Sequence, residues 1–221
     1  MAHRSAIIVA GGRGLRMGAD LPKQFLPLRG EPVLTHTLRQ FAPEGEELTL
    51  VLPAEQQDLW QALCVEHHFT LPHRITTGGA TRFDSVRSGL SELPAEGLVA
   101  VHDGVRPLVS RTLIRRTFEV AEEMGAALPA CPVTDSLRLL GEDDGSEAVD
   151  RARYRAVQTP QTFDLERLHR AYEQPFSPQF TDDASVYEAA GLGAITLVEG
   201  EETNIKLTTP RDLLLADLLL D

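Results

Sequence analysis

The sequence predicts an α/β fold: a Rossmann-like, mostly parallel sheet flanked by helices, with a β-arm projecting from it. Three observations carry this prediction. Short apolar runs bounded by turn residues recur along the 221 residues, longer helical patterns separate them, and the alternation stops once, between Pro132 and Pro160. Strand, helix, strand, helix implies parallel neighbours buried on both faces.

In order, strands are expected at 6–10, 48–52, 98–102, 126–130 and 195–198, with helices at 33–41, 56–66, 82–93 and 113–124. Between Pro132 and Pro160 the polar turn Gly141-Glu142-Asp143-Asp144-Gly145-Ser146 joins residues 137–140 to the charged stretch 149–157. Two short strands around an exposed turn form an arm, and a hairpin that cannot bury itself alone is a natural dimerisation element. A β-like run follows at 203–208. Thr209-Pro210, an N-cap and a first-turn proline, then opens a leucine-rich helix that docks on the body.

The length fits a single domain over 1–221, with the arm at about 132–157. A formal net charge of −12 argues against nucleic-acid and anionic-membrane partners, since nothing offsets repulsion from a phosphate backbone. Clustered cations should therefore mark a local anion site. Cys64 and Cys131 lack metal-ligand spacing and read as buried reduced thiols. A strand pattern within five residues of the start, and no run near ~18 apolar residues, predict neither leader nor membrane span and hence a cytoplasmic protein.

The chemistry concentrates in Ala10-Gly11-Gly12-Arg13-Gly14-Leu15-Arg16-Met17-Gly18, followed by Pro22-Lys23-Gln24. Glycines after a strand let backbone N–H groups close around phosphate oxygens, and Arg16 and Lys23 add two full charges. A dinucleotide fingerprint is excluded, because Met17 stands where a small residue is needed and 50–53 offers no acid. Walker A also fails: Met17 follows Gly12, and Ala19 follows Gly14, at the spacing that requires glycine. Gly78-Gly79 and His102-Asp103-Gly104 lie on the same rim of the sheet, where ligands bind. Asp103 is expected to face ligand and His102 the core; Arg106 can pair with Asp103. Trp60 reads as packing, and His67, His68 and His73 as surface residues without ligand spacing.

With these loops assembled, the chain resembles the 2-C-methyl-D-erythritol 4-phosphate cytidylyltransferase family, sugar-alcohol phosphate cytidylyltransferases of the non-mevalonate isoprenoid pathway. The resemblance spans nearly the whole chain. Besides the glycine loop and Pro22-Lys23-Gln24, it rests on the segment from Gly78-Gly79-Ala80-Thr81-Arg82 to Val86 and on His102-Asp103-Gly104-Val105-Arg106-Pro107. Thr159-Pro160-Gln161, Thr181-Asp182-Asp183-Ala184-Ser185 and Asn204-Ile205-Lys206 complete it.

The resemblance implies CTP and a sugar-alcohol phosphate as substrates, a homodimer, and Mg²⁺ or another divalent cation on the triphosphate, with Asp103 beside the metal. It implies catalytic roles for Arg16, Lys23, Arg151 and Lys206. Nucleotide contacts fall on Ala10, Gly11, Gly12, Gly14, Gly79, Ala80, Ser85 and Asp103. Acceptor contacts fall on Arg106, Ser136, Arg151, Thr181 and Lys206, with Ser136 and Arg151 delivered by the arm of the neighbouring subunit. The reaction itself needs no side-chain nucleophile, because a phosphate dianion is competent to attack the α-phosphate. Ribitol 5-phosphate cytidylyltransferases share the glycine loop and the reaction. The alternative of another class, a regulatory module that binds CTP without turnover, predicts disrupted cations, whereas Arg16, Lys23, Asp103 and Lys206 are all present.

Overall fold

The computed structural model describes residues 2–11, 21–42, 47–141, 143 and 145–220. Its centre is β1 (Arg4–Val9), in which Ala6, Ile7 and Ile8 are fully buried. The small hairpin β2 (Pro27–Leu28) and β3 (Glu31–Pro32) leads into α1 (Val33–Phe41), and β4 (Glu47–Leu52) and β5 (Arg74–Thr77) bracket α2 (Ala54–Glu66). After α3 (Arg82–Leu90) come β6 (Leu98–Asp103), α4 (Arg111–Met124) and β7 (Ala126–Pro132). The arm is β8 (Arg138–Leu140) and β9 (Ser146–Ala148); β10 (Arg155–Val157), β11 (Gln161–Asp164), α5 (Leu165–Ala171), α6 (Asp183–Ala189), β12 (Thr196–Glu199) and α7 (Pro210–Leu219) complete the chain.

The main sheet runs β7, β11, β6, β1, β4, β5, with β10 and β12 both pairing with β7. β1 is parallel to β4 and β6, β4 to β5, and β12 to β7, so the sheet is mostly parallel; β10 and β11 run antiparallel to their neighbours. Period-two alternation splits the core. Ala6, Ile8, Leu50 and Ala100 pack with Leu34, Leu38, Trp60 and Phe118 on one face. Ile7, Val51, Val99 and Val101 pack with Phe83, Val86, Leu168 and Tyr187 on the other. Helix α3 approaches the sheet closely because it carries Gly89 there: a Cβ at that position would sit 2.8 Å from Ile7 Cγ2.

Two local expectations fail. Residues 149–157 do not form the second arm strand. Asp150 accepts from the Ala152 N–H (3.0 Å), capping a single 3₁₀ turn at Arg151–Arg153, after which β10 rejoins the main sheet. The run 203–208 is no strand either; Ile205 N–H bonds back to the Thr203 carbonyl (2.7 Å), and Leu207 N–H ties the segment to the Val105 carbonyl (2.9 Å). Cys64 and Cys131 are free but only half-buried. His73 is half-buried rather than on the open surface, and its Nε2 accepts from Trp60 Nε1 (2.9 Å). Among the described residues no helix is long and apolar enough to cross a membrane.

Between β10 and β11 the register slips, since Val157 faces Ala130 while Thr162 faces Ala127. Five positions on one chain thus match three on β7, and the slack turns Thr159 inward. Its hydroxyl accepts from the Asp103 N–H (3.1 Å) and meets His102 Nδ1 (2.9 Å). Burial pushes the His102 pKa down to about 4, so the ring is neutral. The Arg106 carbonyl, 3.2 Å from Nε2, can only accept, which puts the proton on Nε2 and makes Nδ1 the acceptor for Thr159. His102 is therefore the core residue expected, and it fixes the end of β6.

Candidate active site

A cleft of about 280 Å³ opens beyond the carboxyl ends of β1 and β6, where open α/β sheets bind ligands. Ala10 and Gly11, leaving β1, form part of its floor. The Ala10 N–H bonds the Val51 carbonyl (3.0 Å), and the buried Gln24 amide holds the Ala10 carbonyl (2.8 Å) and Gln56 Oε1 (2.6 Å). Gln24 belongs to the 3₁₀ turn Lys23–Phe25, whose Phe25 stacks on Trp60 at 6.0 Å between ring centres. Lys23 is thus carried on a turn riveted into the core; its ammonium lines the cleft and donates to the Leu207 carbonyl (3.2 Å).

A second wall is the entry to α3. Thr81 and Asp84 form a reciprocal capping box (Asp84 N–H to Thr81 Oγ1 3.0 Å; Thr81 N–H to Asp84 Oδ2 3.3 Å). Ser85 Oγ donates to the Thr81 carbonyl (2.9 Å) and accepts from the Gly79 N–H (3.2 Å). Gly79, Ala80 and Ser85 all line the cleft. A Cβ on Gly79 would lie 2.3 Å from the Asp84 Cβ, so this turn admits only glycine. Gly79→Ala is expected to destabilise the fold by about 1–3 kcal/mol through overpacking and to weaken nucleotide binding; calorimetric titration and a thermal melt together check both.

The third wall carries the charge. Register pairs Val9 with Asp103, setting that carboxylate at the same sheet edge as Ala10 and Gly11. Asp103 Oδ2 accepts from Arg106 Nε (3.3 Å) and lies 3.0 Å from Lys206 Nζ; Oδ1 faces Arg82 Nε at 3.9 Å. Burial works to raise the Asp103 pKa, but Arg82, Lys206 and Arg106 outweigh it and hold the carboxyl well below the usual range. Arg106 also donates to the Asn204 carbonyl (2.7 Å), and Asn204 Nδ2 to the Thr159 carbonyl (2.8 Å), which stitches the Lys206 segment to the end of β6.

The structure therefore brings Ala10, Gly11, Lys23, Gly79, Ala80, Ser85, Asp103 and Lys206 to one cleft, with Arg106 behind Asp103. Gly12, Gly14 and Arg16 lie outside the described residues. Ser136, Arg151 and Thr181 do not line the cleft in a single chain. Ser136 is exposed near the arm, Arg151 donates to the Thr134 carbonyl, and the Thr181 N–H bonds Ser185 Oγ (3.0 Å) at the start of α6.

Sequence reasoning left Arg82 without a role. It lines the cleft while forking onto the fully buried Asp183 (2.9 and 2.6 Å). Its signal was visible: Arg82 opens a helix, where the dipole disfavours a cation unless an acid or anion faces it.

The donor set also bears on a divalent cation. Among the described residues no group of three or more His, Cys, Asp or Glu side chains could hold one. Asp103 offers a single carboxylate, of which Oδ1 has, among the described residues, the distant Arg82 beside it. That set fits Mg²⁺, which is commonly bound by one or two carboxylates together with substrate phosphates.

The sequence profile of the 2-C-methyl-D-erythritol 4-phosphate cytidylyltransferase family matches residues 5–221. A protein of that name from Bacteroides thetaiotaomicron is 55% identical over 219 residues, 98% of this chain and 99% of its own. Another from Porphyromonas gingivalis is 56% identical over 217 residues, 98% of this chain and 97% of its own. Among solved structures, the 4-diphosphocytidyl-2C-methyl-D-erythritol synthase of Anaerococcus prevotii superposes with a TM-score of 0.84 at 29% identity, covering 99% of this chain and 98% of that one. The 2-C-methyl-D-erythritol 4-phosphate cytidylyltransferase of Thermus thermophilus gives 0.79 at 35% identity, covering 98% of each chain.

Proposed function

The chain belongs to the 2-C-methyl-D-erythritol 4-phosphate cytidylyltransferase family and is a nucleotidyltransferase; from that premise we propose how its own residues join CTP to 2-C-methyl-D-erythritol 4-phosphate. The products are 4-diphosphocytidyl-2-C-methyl-D-erythritol and pyrophosphate. One observation supports the assignment of roles above all others: Lys23 and Lys206 line the same cleft as Gly11, Gly79 and the ionised Asp103.

An acceptor phosphate oxygen attacks the α-phosphorus of CTP; the new P–O bond forms as the bond to the β-phosphate oxygen breaks, and the electron pair leaves on pyrophosphate. Two anions must approach, so the dominant cost is electrostatic, and fixed cations lower it. Lys23 and Arg16 neutralise the five-coordinate α-phosphate. Lys206 and Arg106 orient the acceptor phosphate, with Thr181 beside the polyol. Ala10, Gly11, Gly12 and Gly14 present backbone to the triphosphate; Gly79, Ala80 and Ser85 hold base and ribose. Asp103 would hold a Mg²⁺ ion, which would supply charge neutralisation of the triphosphate.

The reading extends to a cytoplasmic homodimer. Leu139 and Leu140 on the arm are 57% and 80% exposed, and an isolated two-stranded hairpin is marginal in water. Packing the arm on a second copy covers that surface and carries Ser136 and Arg151 toward the second copy's cleft.

Pyrophosphate release with CTP, Mg²⁺ and either 2-C-methyl-D-erythritol 4-phosphate or ribitol 5-phosphate tests the activity. The branched acceptor is expected to win by about tenfold or more, the scale on which a pocket reads a methyl group. A clear preference for ribitol 5-phosphate overturns the acceptor assignment, and nucleotide binding without turnover on either overturns catalysis.

A further inference from the structure

We propose that Arg82 is a positioning residue, which acts through Asp103 and is itself anchored by Asp183 and Tyr172. The inference rests on the reading of the cleft as a metal–nucleotide site. Asp183 is fully buried at the first position of α6, where its Oδ1 takes both Arg82 Nη1 (2.9 Å) and the Tyr172 hydroxyl (2.6 Å) while Oδ2 takes Arg82 Nη2 (2.6 Å). A bidentate fork of this kind fixes the plane of the guanidinium. Tyr172 is fixed in turn by stacking on Phe83, 4.7 Å between ring centres, and Phe83 follows Arg82 in α3.

With both terminal nitrogens engaged, Arg82 turns its Nε toward Asp103 Oδ1, at 3.9 Å. That is close enough for Coulomb attraction and too long for a hydrogen bond. The consequence is directional. Arg106 and Lys206 converge on Oδ2, so Asp103 is held by one oxygen while the other is aimed and charged but keeps its lone pairs for a ligand. Outer partners that orient a metal-binding carboxylate are worth about 10–100-fold in metal affinity or activity. Lysine keeps the charge of Arg82 but cannot fork onto Asp183 and face Asp103 at once.

The test compares the dissociation constant of CTP without and with Mg²⁺, measured by calorimetry on the whole protein in the absence of acceptor, beside kcat and KM. In Arg82→Lys the ratio of the two constants is expected to fall about tenfold, with kcat lowered and CTP affinity in the absence of metal little changed. A merely structural loss weakens both constants alike and leaves their ratio where it was. Tyr172→Phe, which removes one donor from Asp183, is expected to move the ratio in the same direction by less, and it decides the matter where Arg82→Lys does not fold. An unchanged ratio in the folded variant overturns the proposal, as does a loss of metal-free CTP affinity that accounts for the whole effect. Wild-type turnover separates the two readings: absence of product overturns the proposed reaction, whereas the binding ratio judges Arg82 without any turnover.

Discussion

Replacing Lys23 by alanine is expected to lower kcat by about 10²–10³-fold, the scale set by removing one preorganised donor from a developing charge, while leaving the fold intact. The argument starts from how the side chain is carried. Gln24 and Phe25, its neighbours in the turn, are buried and lock the backbone, so the ammonium is delivered to the cleft wall without being part of the core. Its bond to the Leu207 carbonyl, 3.2 Å, ties it to the same segment that carries Lys206, and both lysines line one small space. Binding of CTP draws on many backbone donors and should weaken less than the rate, since the α-phosphate gains its extra charge only in the transition state. Steady-state kinetics with a parallel thermal melt check this: a variant with unaltered melting and a rate within threefold of the parent removes Lys23 from the mechanism.

How much of this was legible in the sequence follows from how local each signal is. The strands β1 and β6 were readable because buried parallel strands are continuous apolar runs, and α1 because its apolar residues keep the 3.6 period. The Thr81–Asp84 capping box, not singled out from the sequence, is equally local, a Thr three residues before an Asp at the start of the expected helix. Residues 203–208 misled because Thr203, Ile205 and Leu207 alternate like a strand; the Asn204 and Ile205 N–H groups turn back to the carbonyls of Glu201 and Thr203, and Leu207 N–H bonds Val105 in the turn after β6, so no ladder forms. Residues 149–157 misled because Asp150 satisfies the Ala152 N–H and bends the chain before a ladder can extend. The Asp103–Lys206 pair spans more than a hundred positions; each residue was singled out separately, and nothing in the sequence joined them. The Arg82–Asp183 fork spans 101 and was missed, because a cation at a helix start signals that an acid or anion faces it without saying which, and Asp183 on its own reads as a favourable N-terminal acid.

Sharing of the cleft between subunits yields the second large effect. Lys23 and Arg151 are carried by different parts of the chain, one on a turn riveted to the body and the other beside an exposed hairpin. In the proposed dimer each cleft takes Lys23 from its own chain and Arg151 from the other. Lys23→Ala and Arg151→Ala homodimers should each be nearly inactive, since every cleft lacks one cation. When the two are unfolded together in equal amounts and refolded, half of the dimers are mixed. In a mixed dimer the Arg151 lost by one chain and the Lys23 lost by the other fall in the same cleft, and the second cleft is intact, so about a quarter of parental activity should return by closed two-fold symmetry. A monomer, or a dimer whose clefts use one chain each, gives no recovery at all. Because the readout rises from near zero rather than falling, misfolding of either variant cannot imitate the expected result.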